Sequence, residues 1–278
     1  MELMRLNKFL ASRGICSRRE ADTLIEKGLV LVNGVPAQMG MLVDGSEEIF
    51  CEGKRIGEEQ PKVVLLYHKP AGVTCTRKDA HAKRTIETEI NYPVRVTYAG
   101  RLDKESEGLL LLTNDGDLIE EMMRGANGHE KEYEVWVNRP IQASDLKEMA
   151  GGVYLEELDV TTRPCKVRKT GEKSFRIVLT QGLNRQIRRM CEALGYRVSH
   201  LVRYRVVNLE LGDLPKGQYR EATAKEVEAL WKALRVGAGQ DMESKAQTKP
   251  QTNGQMKANV SGDEKHAGRR KKQGNPRR

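Results

Sequence analysis

Gly100-Arg101-Leu102-Asp103-Lys104-Glu105-Ser106-Glu107-Gly108-Leu109-Leu110-Leu111-Leu112-Thr113-Asn114-Asp115-Gly116-Asp117 is the most informative stretch of this 278-residue chain. A polar loop holding an arginine and an aspartate leads into Gly108. Four consecutive leucines then read as a strand buried on both faces, and Asn-Asp-Gly turns the chain out of it. An acid two residues from an arginine is, on its own, usually a surface ion pair. Outward from this string the segment from Lys62 to Val236 alternates strand-like and helical stretches. Val63-Val64-Leu65-Leu66-Tyr67 reads as a second buried strand. Glu134–Val137 and Phe175–Leu179 alternate in strand fashion, and Gln186–Leu194 and Thr223–Leu234 read as helices. Strands without a regular βαβ rhythm predict an α+β domain with a mixed, largely antiparallel sheet.

The first 60 residues have a different character. Leu6, Phe9 and Leu10 fall on one face of a short helix over Arg5–Arg13. Ser17 and Glu20 form a capping box ahead of a second helix with apolar Ala21, Leu24 and Ile25, and Gly28 ends it. Leu29–Val32 then enters an Asn33-Gly34 hairpin. Arg5, Lys8, Arg18 and Arg19 lie on or beside the two helices, either as a solvated charged face or as a phosphate-binding surface. Gly57-Glu58-Glu59-Gln60-Pro61 is a polar linker, expected to act as a mobile hinge. At the other end, 237–278 is nearly without large apolar residues and supplies six of the nine net positive charges, so it is expected to be a disordered basic tail.

The formal charge of +9 favours a polyanionic partner, nucleic acid before an anionic membrane surface. No apolar run approaches the ~20 residues of a membrane helix. The five cysteines are scattered and unpaired in sequence, which fits a reducing cytoplasm and no disulfide framework. His68, His81, His129, His200 and His266 show no metal-ligand spacing, and no metal site is expected.

Several separate strings agree with one family. The helix, the Gly14-Ile15-Cys16-Ser17-Arg18-Arg19 helix start and the Val-Asn-Gly hairpin resemble the S4 RNA-binding domain. His68-Lys69-Pro70-Ala71-Gly72-Val73, the Gly100–Asn114 string, Lys131-Glu132-Tyr133, Gly182–Met190 and Leu201-Val202-Arg203-Tyr204-Arg205 resemble, in order, the motifs of the pseudouridine synthases. Within that family the chain is similar to the branch that modifies ribosomal RNA and carries an N-terminal S4 domain, and the likeness spans about residues 4–235. It departs from the pattern at His68, where asparagine is commoner, and at Tyr98-Ala99, where proline or an aliphatic residue is.

The resemblance implies an S4 domain over 1–60, a catalytic domain over 61–236, and isomerisation of a uridine in structured RNA without a cofactor. The uracil is detached from C1′, turned, and rejoined through C5. Asp103 is then the catalytic carboxylate, either attacking as a nucleophile or abstracting a ribose proton; the residues leave both open. Arg188 would hold it ionised as an ion-pair partner. Tyr133 would stack on the base and assist removal of the C5 proton. Arg101, with Leu102 and Lys104 beside it, would fill the space a flipped base leaves or hold its flanking backbone. Leu183, Asn184, Arg185 and Gln186 would contact the RNA, although Asn184 also suits a helix N-cap. The polar loop 125–131 and the basic tail resemble the subtype that acts on 23S ribosomal RNA near the peptidyl-transferase region. Nothing calls for an obligate dimer, so a monomer is expected. Two rival readings, a non-catalytic ribosome-binding protein and a DNA-binding regulator, are opposed by intact Asp103, Tyr133 and Arg188 and by the S4 pattern respectively.

Overall fold

Local chemistry builds the N-terminal unit. In the computed structural model, which describes residues 3–76, 84–124 and 128–246, with side chains described as far as Arg235, helix α1 (Leu6–Ser12) packs on α2 (Arg18–Glu26). The capping box is formed: the Ser17 hydroxyl accepts from the Glu20 amide at 3.2 Å and the Glu20 carboxylate accepts from the Ser17 amide at 2.9 Å. Strands β1 (Val30–Val32) and β2 (Val35–Pro36) make the hairpin, with Asn33 and Gly34 at φ 51° and 80°, the left-handed pair of a type I′ turn. Strand β3 (Ile49–Cys51) adds to β1, and Leu6, Leu10, Ala21, Val30 and Val43 sit in a core of the unit's own.

Among the described residues the larger sheet has nine strands. In spatial order its main path runs Lys166–Gly171, Ser174–Leu179, Lys131–Val137, Val198–Val206, Glu107–Thr113, Val64–Lys69 and Tyr219–Glu221. Numbered along the chain, four of these carry the site: β4 (Val64–Lys69), β5 (Glu107–Thr113), β6 (Lys131–Val137) and β7 (Val198–Val206). Every pairing is antiparallel except β5 with β7, where Val202 faces Glu107 and Arg203 faces Gly108.

The leucine run of β5 is buried on both faces because both are covered. Leu109 and Leu111 join Val64, Leu66, Leu118 and Leu230 in one core, while Leu110 and Leu112 join Leu65, Tyr67, Val73 and Leu102 in another. Gly108 permits the parallel junction: a Cβ there would lie 2.3 Å from the Arg203 carbonyl oxygen and 2.5 Å from its nitrogen. After β5, Asp115 caps α3 (Gly116–Met123), and α4 (Gln186–Ala193) contributes Ile187, Met190 and Cys191 to the same core as Val135 and Val137 of β6.

The last helix, α5, runs Ala224–Ala246 and carries on past Gly237, where composition places the start of a disordered tail. Buried Leu230 and Leu234 anchor it, and no proline interrupts the residues that follow as far as Ala246. The rest of the expected tail, residues 125–127 of the polar loop, His81 and His266 lie outside the described residues. No helix among the described residues is long and apolar enough to cross a membrane. The expected hinge at 57–61 is non-regular in structure, and its end is clamped: Asn114 donates to the Pro61 carbonyl at 2.9 Å and accepts from the Val63 amide at 2.8 Å.

Candidate active site

A cleft of about 460 Å³ opens beside the β5–β7 junction. It gathers the Asp103 loop, Lys131 and Tyr133 of β6, Arg203 of β7 and the start of α4. Ten of the residues singled out in the sequence line it: Asp103, Tyr133, Arg188, Arg101, Leu102, Lys104, Leu183, Asn184, Arg185 and Gln186.

The loop is held from beneath. Its turn is closed by the Ser106 amide donating to the Asp103 carbonyl at 3.1 Å. Lys69, at the end of β4, is wholly buried and donates to the carbonyls of Ser106 at 2.8 Å, Pro70 at 3.0 Å and, more loosely, Lys104 at 3.5 Å. Burial pushes its ammonium down to about 8, with Arg203 adding to the push and Asp103 opposing it. Leu102 packs into the core under the loop, which leaves Arg101 and Lys104 exposed. Arg203 is buried and donates to the Leu109 carbonyl at 2.7 Å and the Arg101 carbonyl at 3.3 Å, tying the loop to the sheet from the other side.

The expected Arg188–Asp103 ion pair is not made. Arg188 is buried and its guanidinium donates to the Glu105 carbonyl at 3.3 Å and the Ser106 hydroxyl at 3.4 Å, while its Nε has no partner among the described residues. The turn carries those two groups past α4 and leaves the Asp103 carboxylate in the cleft, with no hydrogen bond or ion pair among the described residues. The Tyr133 hydroxyl is likewise without a partner among the described residues. Asp103 and Tyr133 thus present a carboxylate and a hydroxyl to one cleft, while the Tyr133 ring packs against two of the cores.

Asn184 is not the helix cap. Arg185 takes that position at φ 53°, and the Asn184 side chain accepts from Arg189 at 2.7 Å instead. Gln186 is buried and accepts from the Leu183 amide at 3.1 Å. Arg185 pairs with Glu105 at 3.0 Å. Partial burial pushes the Glu105 carboxyl up, but its own amide, Arg185 and Arg188 outweigh that and hold it below its usual range.

The basic residues of the N-terminal unit divide. Arg5, Lys8 and Arg18 line a second cleft, of about 610 Å³, between that unit and the larger sheet; Arg19 is exposed outside it. Across this cleft Lys8 pairs with Asp117 at 2.7 Å, and Arg95, which also lines it, pairs with Glu20 of α2 at 3.0 Å. Lys69, Lys131 and Arg203 each fall within one of the motif strings, yet their residue type alone points to no role there. The available signal was a lysine or arginine among residues that must be buried.

Comparisons with known proteins agree with this layout. The family model described as RNA pseudouridylate synthase matches residues 63–193, and that of the S4 domain matches 4–49. The chain is 42% identical over 253 residues to the dual-specificity RNA pseudouridine synthase RluF of Escherichia coli (strain K12), covering 90% of this chain and 86% of that one. It is 36% identical over 232 residues to the ribosomal large subunit pseudouridine synthase B of Bacillus subtilis (strain 168), covering 81% and 95%. A crystal structure of a pseudouridylate synthase superimposes with a TM-score of 0.61 at 28% identity, over 82% of this chain and 99% of that one.

Proposed function

Since the chain belongs to the S4-containing family of RNA pseudouridine synthases, we propose that it isomerises a uridine of 23S ribosomal RNA, with Asp103 as the catalytic carboxylate and the S4 unit holding the RNA stem. The observation that carries this reading is the unengaged Asp103 carboxylate in the cleft, on a loop fastened by Lys69, Arg203 and Arg188 through backbone carbonyls and one hydroxyl. A carboxylate that acts on C1′ or a ribose proton must be accessible and its loop must not move, and fastening the loop by its backbone meets both needs.

Tyr133 stacks on the flipped base and sets its plane for rotation. Arg101 and Lys104, exposed at the rim, take the phosphates beside it, and Leu183, Asn184, Arg185 and Gln186 bound the far side of the cleft. The catalytic role of Arg188 is indirect, since it positions the loop rather than pairing with the acid. Arg5, Lys8 and Arg18 supply phosphate contacts from the S4 unit, whose target is a stem-loop of the large-subunit RNA. The enzyme acts as a monomer in the cytoplasm, where that RNA is found.

Tritium release from 23S RNA carrying C5-tritiated uridine tests this. The native protein is expected to release it and Asp103→Asn to release none. Equal release by both would remove Asp103 from the mechanism, and no release by the native protein from any ribosomal RNA would remove the substrate.

A further inference from the structure

Lys131 precedes Tyr133 by two residues on β6, so strand alternation puts both side chains on one face, and both line the Asp103 cleft. Of the other buried cations here, Lys69 is engaged by three carbonyls and Arg203 by two, while Arg188 meets a carbonyl and a hydroxyl of the Asp103 loop and keeps only its Nε without a partner among the described residues. The Lys131 ammonium has one hydrogen bond among the described residues, to the His129 carbonyl at 3.2 Å, and no carboxylate partner. Burial pushes it down to about 8, and Arg203 pushes the same way. A half-buried ammonium with unfilled donors and a cationic neighbour weakens the fold, because desolvation is not offset by pairing. The arrangement makes chemical sense if an anion arrives in the cleft.

The reaction generates one. The C1′–N1 bond breaks with its electron pair on N1, delocalised onto the uracil carbonyl oxygens. C5 then bonds to C1′, the C5 proton leaves to solvent, and N1 takes up a proton, so the net change is an isomerisation. We propose that Lys131 is a catalytic residue whose free N–H donates to a carbonyl oxygen of the detached uracil, stabilising its negative charge until C5 has rejoined the sugar. This rests on the Asp103 cleft being the site of isomerisation.

The test uses the full chain with Lys131→Met and Lys131→Arg. Three quantities are read: single-turnover tritium release at saturating enzyme, RNA affinity by filter binding, and the urea midpoint. Removing one preorganised donor to a developing oxyanion slows an enzyme by about 100-fold or more. Lys131→Met is expected to slow release by about that factor, with RNA affinity within about threefold of native and a midpoint equal to or above it. Lys131→Arg is expected to recover at least about tenfold of the loss, because it keeps the charge and a donor. An unchanged rate for Lys131→Met, a loss confined to affinity, or a lowered midpoint would each overturn the proposal; the last would make the ammonium structural. Asp103→Asn runs alongside. If that variant releases tritium at the native rate, the reading of the cleft fails; if it is inert while Lys131→Met is fully active, only the role of Lys131 does.

Discussion

Gly108→Ala is the substitution whose cost follows most directly from geometry. Gly108 holds φ at 108°, and the added methyl carbon would lie 2.3 Å from the Arg203 carbonyl oxygen, 2.5 Å from its nitrogen and 2.9 Å from its carbonyl carbon. These are backbone atoms of the neighbouring strand, so no side chain can swing away to relieve the clash. Holding a non-glycine residue in such a conformation costs about 1–3 kcal/mol, and forcing a methyl into packed backbone costs about 1–3 kcal/mol more. A combined loss of about 4 kcal/mol is a large part of a typical total of about 5–15 kcal/mol, and lowers Tm by roughly 8–16 °C. The only parallel pairing among the described strands opens, and Arg203 is carried away from the Leu109 and Arg101 carbonyls that fasten the Asp103 loop. Urea unfolding should therefore report the stability loss, and single-turnover tritium release under conditions where the variant remains folded should report a slower reaction. Gly182→Ala is the matched control, at a glycine of the same cleft with no positive φ and no atom within 4 Å of its added carbon; it should stay within about 0.5 kcal/mol of native. A Gly108→Ala protein as stable as that control would refute the argument that close backbone approach dictates the glycine.

Lys69→Met removes the donor shared by the Pro70, Lys104 and Ser106 carbonyls, so a loss of about 1–3 kcal/mol in urea unfolding is expected, with slower tritium release at unchanged RNA affinity. The same lysine gives a pH signature. With its folded value near 8 and its ordinary value 10.5, the unfolded chain binds more protons between the two, so the stability of the native protein relative to Lys69→Met must rise with pH across that window. Buried Cys191 works the other way: burial pushes its thiol from 9.0 to about 12, the folded chain keeps the proton longer, and native stability relative to Cys191→Ala falls as pH climbs above 9.0. Urea midpoints between about pH 7.5 and 10 read both slopes, and a reversed sign in either would discredit the burial argument for that group. At the N-terminal unit the Lys8–Asp117 pair is exposed and adds less than about 1 kcal/mol, so Lys8→Ala should barely shift the melt. It should, however, weaken RNA binding and flatten its salt dependence by about one phosphate contact, while Asp117→Asn, which frees Lys8, should tighten binding; filter binding at several salt concentrations measures both.

The contrast between Gly108 and Lys131 shows what the sequence carries and what it withholds. Local chemistry was legible: Ser17 with Glu20 states its capping box, Asn33-Gly34 its hairpin, and Leu109–Leu112 a strand covered on both faces, each within a few residues of chain. The cleft residues were legible as a set because five strings stood in order. Their partners were not, because a partner is chosen by distances between segments far apart in sequence. Gly108 looks like loop punctuation until Arg203, 95 residues later, is brought against it. Arg188 has the charge to neutralise Asp103, but the Ser106–Asp103 turn offers it a carbonyl and a hydroxyl of the same loop instead. Asn184 has the side chain of an N-cap, but the left-handed backbone of Arg185 takes that position and leaves Asn184 to Arg189. Lys69 and Lys131 are the same residue type at the ends of two strands of one sheet, each lowered by burial to about 8. One is satisfied by three carbonyls and the other by one. That difference, which no periodicity or motif encodes, assigns the first to holding the loop and the second to meeting the charge that the reaction creates.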